Sequence, residues 1–330
     1  MITSTRGTAV ERVLSGVIDL YTLVFPGRIL ACYVIGSVAA GTARWGVERR
    51  DDLSDVDVCL VFHAHLADRE VQTCARVASI CTALSPVKLD LFALSEEDLR
   101  RTGDVRVART GRLIYGTDIA DQLPPMAPET FLPEAINQFI FHLALLRRAH
   151  SGPLTPLTYP DPAGEFYGYD FRPDPLHGTP TLRLFVAVVC WAASIVVALR
   201  TGQCAASKGE AALLYRAHIR EEWADFVGAV DSTCAEAWGY HVPEEAEARR
   251  HLRALCRSAL AFEEAHLALC REYMMACVHG NSPDHGLWAM HALGRLNGHD
   301  LEAATMIATM DEETLRQTLT DATGQSEEKP

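Results

Sequence analysis

Apolar residues recur at helical spacing over residues 9–25, "AVERVLSGVIDLYTLVF", where Val10, Val13, Leu14, Val17, Tyr21 and Val24 share one face. Pro26-Gly27 ends that helix. The pattern then changes. "RILACYVIGS" is apolar without a break over the length of a buried strand, and it runs into a Gly-Ser turn. Residues 38–54 are small, charged and aperiodic, which predicts a short helix start and a loop. "LSDVDVCLVF", Leu53 to Phe62, predicts a second strand. "REVQTCARVASICTAL", Arg69 to Leu84, predicts a helix that Ser85-Pro86 breaks. "VKLDLFAL", Val87 to Leu94, is a third strand, and "GRLIYGTDI", Gly111 to Ile119, is a last short strand and turn. Helices alternating with strands in this order predict an α/β (α+β) unit with a small mixed sheet.

After Pro124-Pro125 the character changes. Residues 131–150, 181–200, 207–230 and 244–278 carry helical periodicity, and none of the intervening stretches reads as a strand. That predicts an all-α helical bundle. With 330 residues the chain is long for one core and suits two, divided as 1–125 and 126–330. Between the first two bundle helices lies "SGPLTPLTYPDPAGEFYGYDFRPDPLHGTP", rich in Pro, Gly, Tyr and Asp. It is too long for a simple connection, and loops of that length are often functional. The apolar run Leu184 to Leu199 is edged by Arg183 and Arg200 and falls short of the roughly 20 residues of a membrane span. It reads as a buried helix. The tail "TGQSEEKP" is expected to fray.

Composition narrows the setting. Apolar residues make up 48% and charged residues 22%, a globular balance. The net charge of −13 disfavours nucleic acid, whose phosphates would be repelled. It suits a cationic partner, or serves solubility alone. Ten cysteines lie mostly in apolar runs with no CxxC among them, the pattern of a reduced, cytoplasmic protein. The N-terminus has no apolar signal core, and no membrane partner is expected.

The candidate chemistry lies in the second strand. Side chains alternate across a strand, so Asp55 and Asp57 point the same way. If the third strand is a neighbour, Asp90 reaches the same face. Three carboxylates on one face repel unless a cation neutralises them. Mg²⁺ suits that task, binding one or two carboxylates together with substrate phosphates and waters. Gly36 and Ser37 end the preceding strand, where exposed N–H groups and a hydroxyl can hold phosphate oxygens. Alone, an Asp-x-Asp is more often a cap or a solvated strand edge. The conjunction with Gly36-Ser37 before it and Asp90 after it points to a Mg²⁺–nucleotide site.

"VIGSV", "LSDVDVCLVF" and "VKLDLF" in this order resemble the nucleotidyltransferase superfamily of DNA polymerase β type. The resemblance carries Gly36 and Ser37 to nucleotide phosphate binding, and Asp55, Asp57 and Asp90 to metal binding and catalysis. "GRLIYGTDI" followed by a helix and "GTPTLRLFVAVVCWAASIVVALRTGQCAASKGEAALL" is similar to bacterial aminoglycoside-type antibiotic adenylyltransferases, which have a helical C-terminal domain. It implies that Lys208, in "ASKGEA", reaches the nucleotide phosphates. A lysine at a helix N-terminus opposes the helix dipole, which itself suggests an anionic partner. The resemblance also implies ATP as the nucleoside triphosphate and a small hydroxylated acceptor, cationic where it is an aminoglycoside.

Two departures stand out. The stretch between Ser37 and Asp55 is longer than in aminoglycoside enzymes, and its "ARWGVERRDD" would reshape a cleft mouth. The third acid is an aspartate where several of those enzymes have a glutamate base, so Asp90 is either general base or metal ligand only. For a cationic acceptor the acidic candidates are Glu134, Glu165 and Asp170, with Asp161, Asp174, Tyr159, Tyr167 and Tyr169 near them in sequence. Each also reads as an ordinary solvated loop residue. His63 and His65, and the trio His285, His291 and His299, lack ligand spacing and read as surface histidines. Trp191, Trp223, Trp238 and Trp288 read as core packing. The competing readings are the same chemistry on a biosynthetic intermediate or a macromolecular target, and a non-catalytic nucleotide-binding module.

Overall fold

All seven residues of β1 (Ile29–Ile35) are buried, and the sheet is built around this strand. In the computed structural model, which describes residues 3–45, 54–148, 154–171, 181–219, 223–280 and 282–297, four strands lie in the order β3-β2-β1-β4. β2 (Val56–Phe62) and β4 (Arg112–Gly116) flank β1 antiparallel, while β3 (Leu89–Ser95) runs parallel to β2. A parallel neighbour needs a crossover, which α3 (Asp68–Leu84) supplies. The sheet is therefore small and mixed, as the sequence predicts.

Alternation sorts the strand residues onto two faces. Cys32 and Val34 of β1 and Val56, Val58, Leu60 and Phe62 of β2 pack against α1 (Thr3–Val24) and α3. Ala31, Tyr33, Ile35, Cys59 and Val61 face the other way, against Leu99 of α4 (Glu96–Thr102), Val107 of α5 (Val105–Thr110) and Ile119. On α1 the buried face is Val10, Leu14, Val17 and Tyr21, and Val24 is exposed. Phe25 takes the last core place instead, stacked on Tyr21 and edge-on to Phe62. The helix ends there, so helical spacing no longer governs which side chain turns inward.

From α6 (Pro128–Leu146) onward the elements among the described residues are helices, apart from a single bridge between Thr181 and His241. The helix α7 (Arg183–Thr201) is nearly all buried from Phe185 to Ala198. It is long and apolar enough to cross a membrane, yet it is packed inside the core. The predicted helix 207–230 is two helices, α8 (Lys208–His218) and α9 (Ala224–Ala229), the second continuing into π-helical turns over Val230–Ala237. Ile219 adopts an extended backbone and buries its own side chain, which ends α8. Beyond α10 (Ala246–Val278) a further helix, α11 (Pro283–Leu296), is capped by Ser282 and buries Ala289, Ala292 and Leu296.

The Pro- and Tyr-rich connection sends part of residues 154–171 into the core and leaves the rest exposed. Leu154, Leu157, Tyr167, Tyr169 and Phe171 are buried among the helices, and Tyr159 stacks on Tyr167. Arg147 holds the segment from beneath, donating to the carbonyl of Thr158 and, at 2.6 Å, to Glu263. Asp174, His299, the tail and most of "ARWGVERRDD" lie outside the described residues. The ten cysteines are free thiols, eight of them buried, consistent with packing rather than cross-linking. Trp191, Trp223, Trp238 and Trp288 all pack against the helical core.

Candidate active site

The site forms at the end of the sheet where β1 stops and β2 starts. The entry to β2 is pinned by two hydrogen bonds, from the N–H of Arg44 to Ser54 Oγ at 2.9 Å and from the N–H of Ser54 to the Arg44 carbonyl at 3.1 Å. Asp55 follows immediately, and Asp57 is the second residue of β2. Asp57 stands opposite Ile35 on β1 and Asp90 on β3. Registered residues of parallel strands share a face, so Asp90 joins the pair. One oxygen of each of Asp55, Asp57 and Asp90 lies within 4.8 Å of the other two. Among the described residues this is the one His/Cys/Asp/Glu group so disposed that it could hold a metal ion.

Gly36 follows β1 with a φ of +68°, a conformation that side chains rarely adopt. It presses so closely on Asp57 that a Cβ there would lie 2.4 Å from Asp57 Oδ2. Ser37 is next, in the short turn α2 (Gly36–Ala39). Gly36 is therefore fixed by contact with the carboxylate as well as by the turn.

The helical part supplies the opposite charge. Arg183, the first residue of α7, places Nη2 2.6 Å from Asp55 Oδ2. Lys208, the first residue of α8, is close enough that Arg183 and Asp55 act on its charge. Burial pushes the Asp55 carboxyl up, but Arg183 and then Lys208 outweigh it and hold it below the ordinary carboxylate range. Burial, then the charges of Asp55 and Asp90, push Asp57 up to about 7, outweighing the nearby Arg106 and Arg183. Asp90 is raised by burial and by Asp55. Burial and Arg183 lower Lys208. Two carboxyls pushed toward protonation beside a third that is held charged are what mutual repulsion of close carboxylates produces. The donors are hard carboxylate oxygens, which fit Mg²⁺.

Around this centre stand two groups that sequence reasoning passed over. Arg106 pairs with Asp104 at 3.0 Å and with Glu134 at 3.4 Å, lies over the ring of Phe92, and lowers the Asp57 carboxyl. His142 on α6 has Nδ1 2.7 Å from the Gln138 carbonyl, a contact that makes Nδ1 the donor. Burial, with Lys208 and Arg183 nearby, pushes this imidazole down to about 4, so it is neutral. Arg183 was visible in the sequence only as the charged edge of an apolar helix. It carries the same signal that singled out Lys208, a cation at a helix N-terminus. His142 has no signal in sequence, being one of several histidines in amphipathic helices.

The acceptor candidates are distributed differently. Glu134 reaches the centre through Arg106. Glu165 makes a two-pronged pair with Arg249, and Asp170 another with Arg148. His63 and His65 face Glu96, Glu97 and Asp98 at the start of α4.

No protein-family model and no curated protein sequence matches the chain. Solved structures give partial overlaps. A chain of a mutant of the toxin–antitoxin MntA–HpeT is 21% identical with a TM-score of 0.24, over 33% of this chain and 76% of that one. A chain of a toxin–antitoxin with AMP-PNP is 19% identical with a TM-score of 0.24, over 32% and 75%. Spectinomycin adenyltransferase AAD(9) from Enterococcus faecialis, with ATP and spectinomycin, is 11% identical with a TM-score of 0.37, over 75% and 99%. The chemistry of this chain therefore rests on its own residues.

Proposed function

We propose that the chain is a Mg²⁺-dependent nucleotidyltransferase of the DNA polymerase β type. It transfers a nucleoside monophosphate, AMP from ATP in the first instance, to a hydroxyl of a small molecule and releases pyrophosphate. The observation that carries this reading is the opposition of Asp55, Asp57 and Asp90 on the sheet to Arg183 and Lys208 at two helix starts. A metal would complement the three carboxylates, and a polyphosphate the two cations. Residues 1–125 would form the catalytic domain and 126–330 the acceptor side.

Asp55 and Asp57 would hold the divalent ion, which would offset charge on the phosphates. The Gly36-Ser37 turn and Lys208 bind and orient the triphosphate. The acceptor oxygen forms a bond to the α-phosphorus, and the bond from that phosphorus to the bridging oxygen breaks. Pyrophosphate leaves with that electron pair. Asp90, whose carboxyl is raised by burial and by Asp55, takes the hydroxyl proton. Glu134, joined to the centre through Arg106, is proposed to face a cationic acceptor of the aminoglycoside type, whereas Glu165 and Asp170 are held by Arg249 and Arg148.

The test is pyrophosphate release with each NTP and Mg²⁺ against aminoglycosides, other hydroxylated antibiotics and candidate metabolites. Turnover on one acceptor, abolished in Asp57→Ala, is the expected result. Nucleotide binding without turnover on any acceptor would favour a binding module. Undiminished release by a folded Asp57→Ala protein would overturn the assignment.

A further inference from the structure

The helices α7 and α8 both begin with a cation, Arg183 and Lys208, and both cations act on Asp55. The start of a helix is its positive end, so a cation there is disfavoured unless an anion compensates it. Asp55 compensates Arg183 directly, Oδ2 to Nη2 at 2.6 Å, with both side chains only about a fifth exposed. Asp55 is also one of the three carboxylates whose oxygens converge within 4.8 Å. An arginine and a divalent ion therefore compete for one carboxylate.

We propose that Arg183 is an exchangeable counter-ion, a role that rests on the transferase reading above. Without nucleotide it holds Asp55 and keeps the acidic cluster from closing on a bare cation. When metal and nucleotide arrive together, the cation takes Asp55 and the guanidinium turns to the polyphosphate. That exchange suits arginine, whose planar fork pairs with phosphate oxygens as well as with carboxylate. No charge is stranded at either stage. The consequence is cooperative loading, in which the bare metal binds weakly and the metal–nucleotide complex binds well.

The experiment measures two affinities on the full chain, Mn²⁺ alone by electron paramagnetic resonance and a non-hydrolysable ATP analogue with Mg²⁺ by calorimetry. Wild type, Arg183→Gln and Arg183→Lys are compared, with circular dichroism as the folding control. In Arg183→Gln, Mn²⁺ alone should bind about threefold tighter, because a competitor for a partly exposed carboxylate is gone. The nucleotide should bind about tenfold weaker, because a charge-assisted contact is lost. Arg183→Lys should fall between the two. A bridge that merely joins the sheet to the helices would lower the melting temperature and move neither affinity, and that result overturns the proposal. Weaker Mn²⁺ binding in Arg183→Gln overturns it too. A wild type that binds Mn²⁺ but no nucleotide overturns the transferase reading itself, an outcome distinct from unchanged affinities in a nucleotide-binding protein.

Discussion

Gly36 and Asp57 touch so closely that a methyl group cannot come between them: a Cβ on Gly36 would lie 2.4 Å from Asp57 Oδ2. The glycine also sits at a φ of +68°. Gly36→Ala therefore strains the backbone and displaces a carboxylate of the acidic cluster. The expected cost in stability is about 1–2 kcal/mol. The expected cost in Mn²⁺ affinity is larger in effect, about tenfold or more, because the ligand itself is moved. Thermal melts and a Mn²⁺ titration check the two numbers separately. Unchanged metal affinity would mean that Asp57 is not a ligand.

Burial and the charges of Asp55 and Asp90 outweigh Arg106 and Arg183 at Asp57, so it should destabilise the metal-free protein. Its carboxyl is raised from the ordinary 3.8 to about 7. A folded pKa above the unfolded one means that folding takes up a proton between those values. The contribution is intact below about pH 4 and lost as pH rises through about 7. At pH 8 and without metal, Asp57→Asn should be more stable than wild type by about 1–2 kcal/mol, discounted for partial exposure. Saturating Mg²⁺ should raise the wild-type melting temperature and leave the variant almost unmoved. An Asp57→Asn protein less stable than wild type at pH 8 would contradict the crowding of charge at this site.

How much of this was legible in the sequence depends on the range of the interaction. The strands were legible because a buried strand writes its pattern into consecutive residues, as in "RILACYVI" and "VDVCLVF". Asp55 and Asp57 were legible as a same-face pair for the same local reason, and Asp90 once strand adjacency was assumed. The partnership of Arg183 with Asp55 was not. It joins residues 128 apart in the chain and depends on how α7 meets the sheet. The composition of residues 157–174 predicts either an acidic acceptor pocket or an ordinary solvated loop. In the described part of that stretch Tyr167, Tyr169 and Phe171 are buried, and Glu165 and Asp170 are bound to Arg249 and Arg148. Composition reports the residues a segment has, and not the surface against which they pack.

That segment rests on a buried ion pair. The side chains of Arg147 and Glu263 are 5% and 0% exposed, and Tyr169 lies within reach of both. Removing one partner leaves the other charge buried and unpaired, so Glu263→Leu should cost about 3–5 kcal/mol. Replacing both, as Arg147→Met with Glu263→Leu, should cost less than either single change, because no charge is stranded. Urea unfolding of the four proteins measures this. The single variants should also be cut by protease within residues 154–171 under conditions in which wild type is resistant, since Arg147 anchors the segment through the Thr158 carbonyl. Strictly additive costs would show that the pair is not coupled.

His266 gives the helical half a pH dependence of the opposite sign to that of Asp57. It is 5% exposed, stacks near Phe262, and its Nδ1 lies 2.7 Å from the Phe262 carbonyl. Burial pushes the imidazole down to about 4. A histidine whose folded pKa is depressed takes up its proton more readily when unfolded, so it contributes full stability above about 6.5 and loses it as pH falls toward 4. Between pH 7.5 and 5.5 this amounts to about 1.3 kcal/mol. His266→Phe fills the same space without a titrating group. Its stability relative to wild type should therefore improve by about that amount over the same interval, read from urea midpoints at the two pH values. Parallel pH profiles for the two proteins would show that His266 is already free to protonate in the native state.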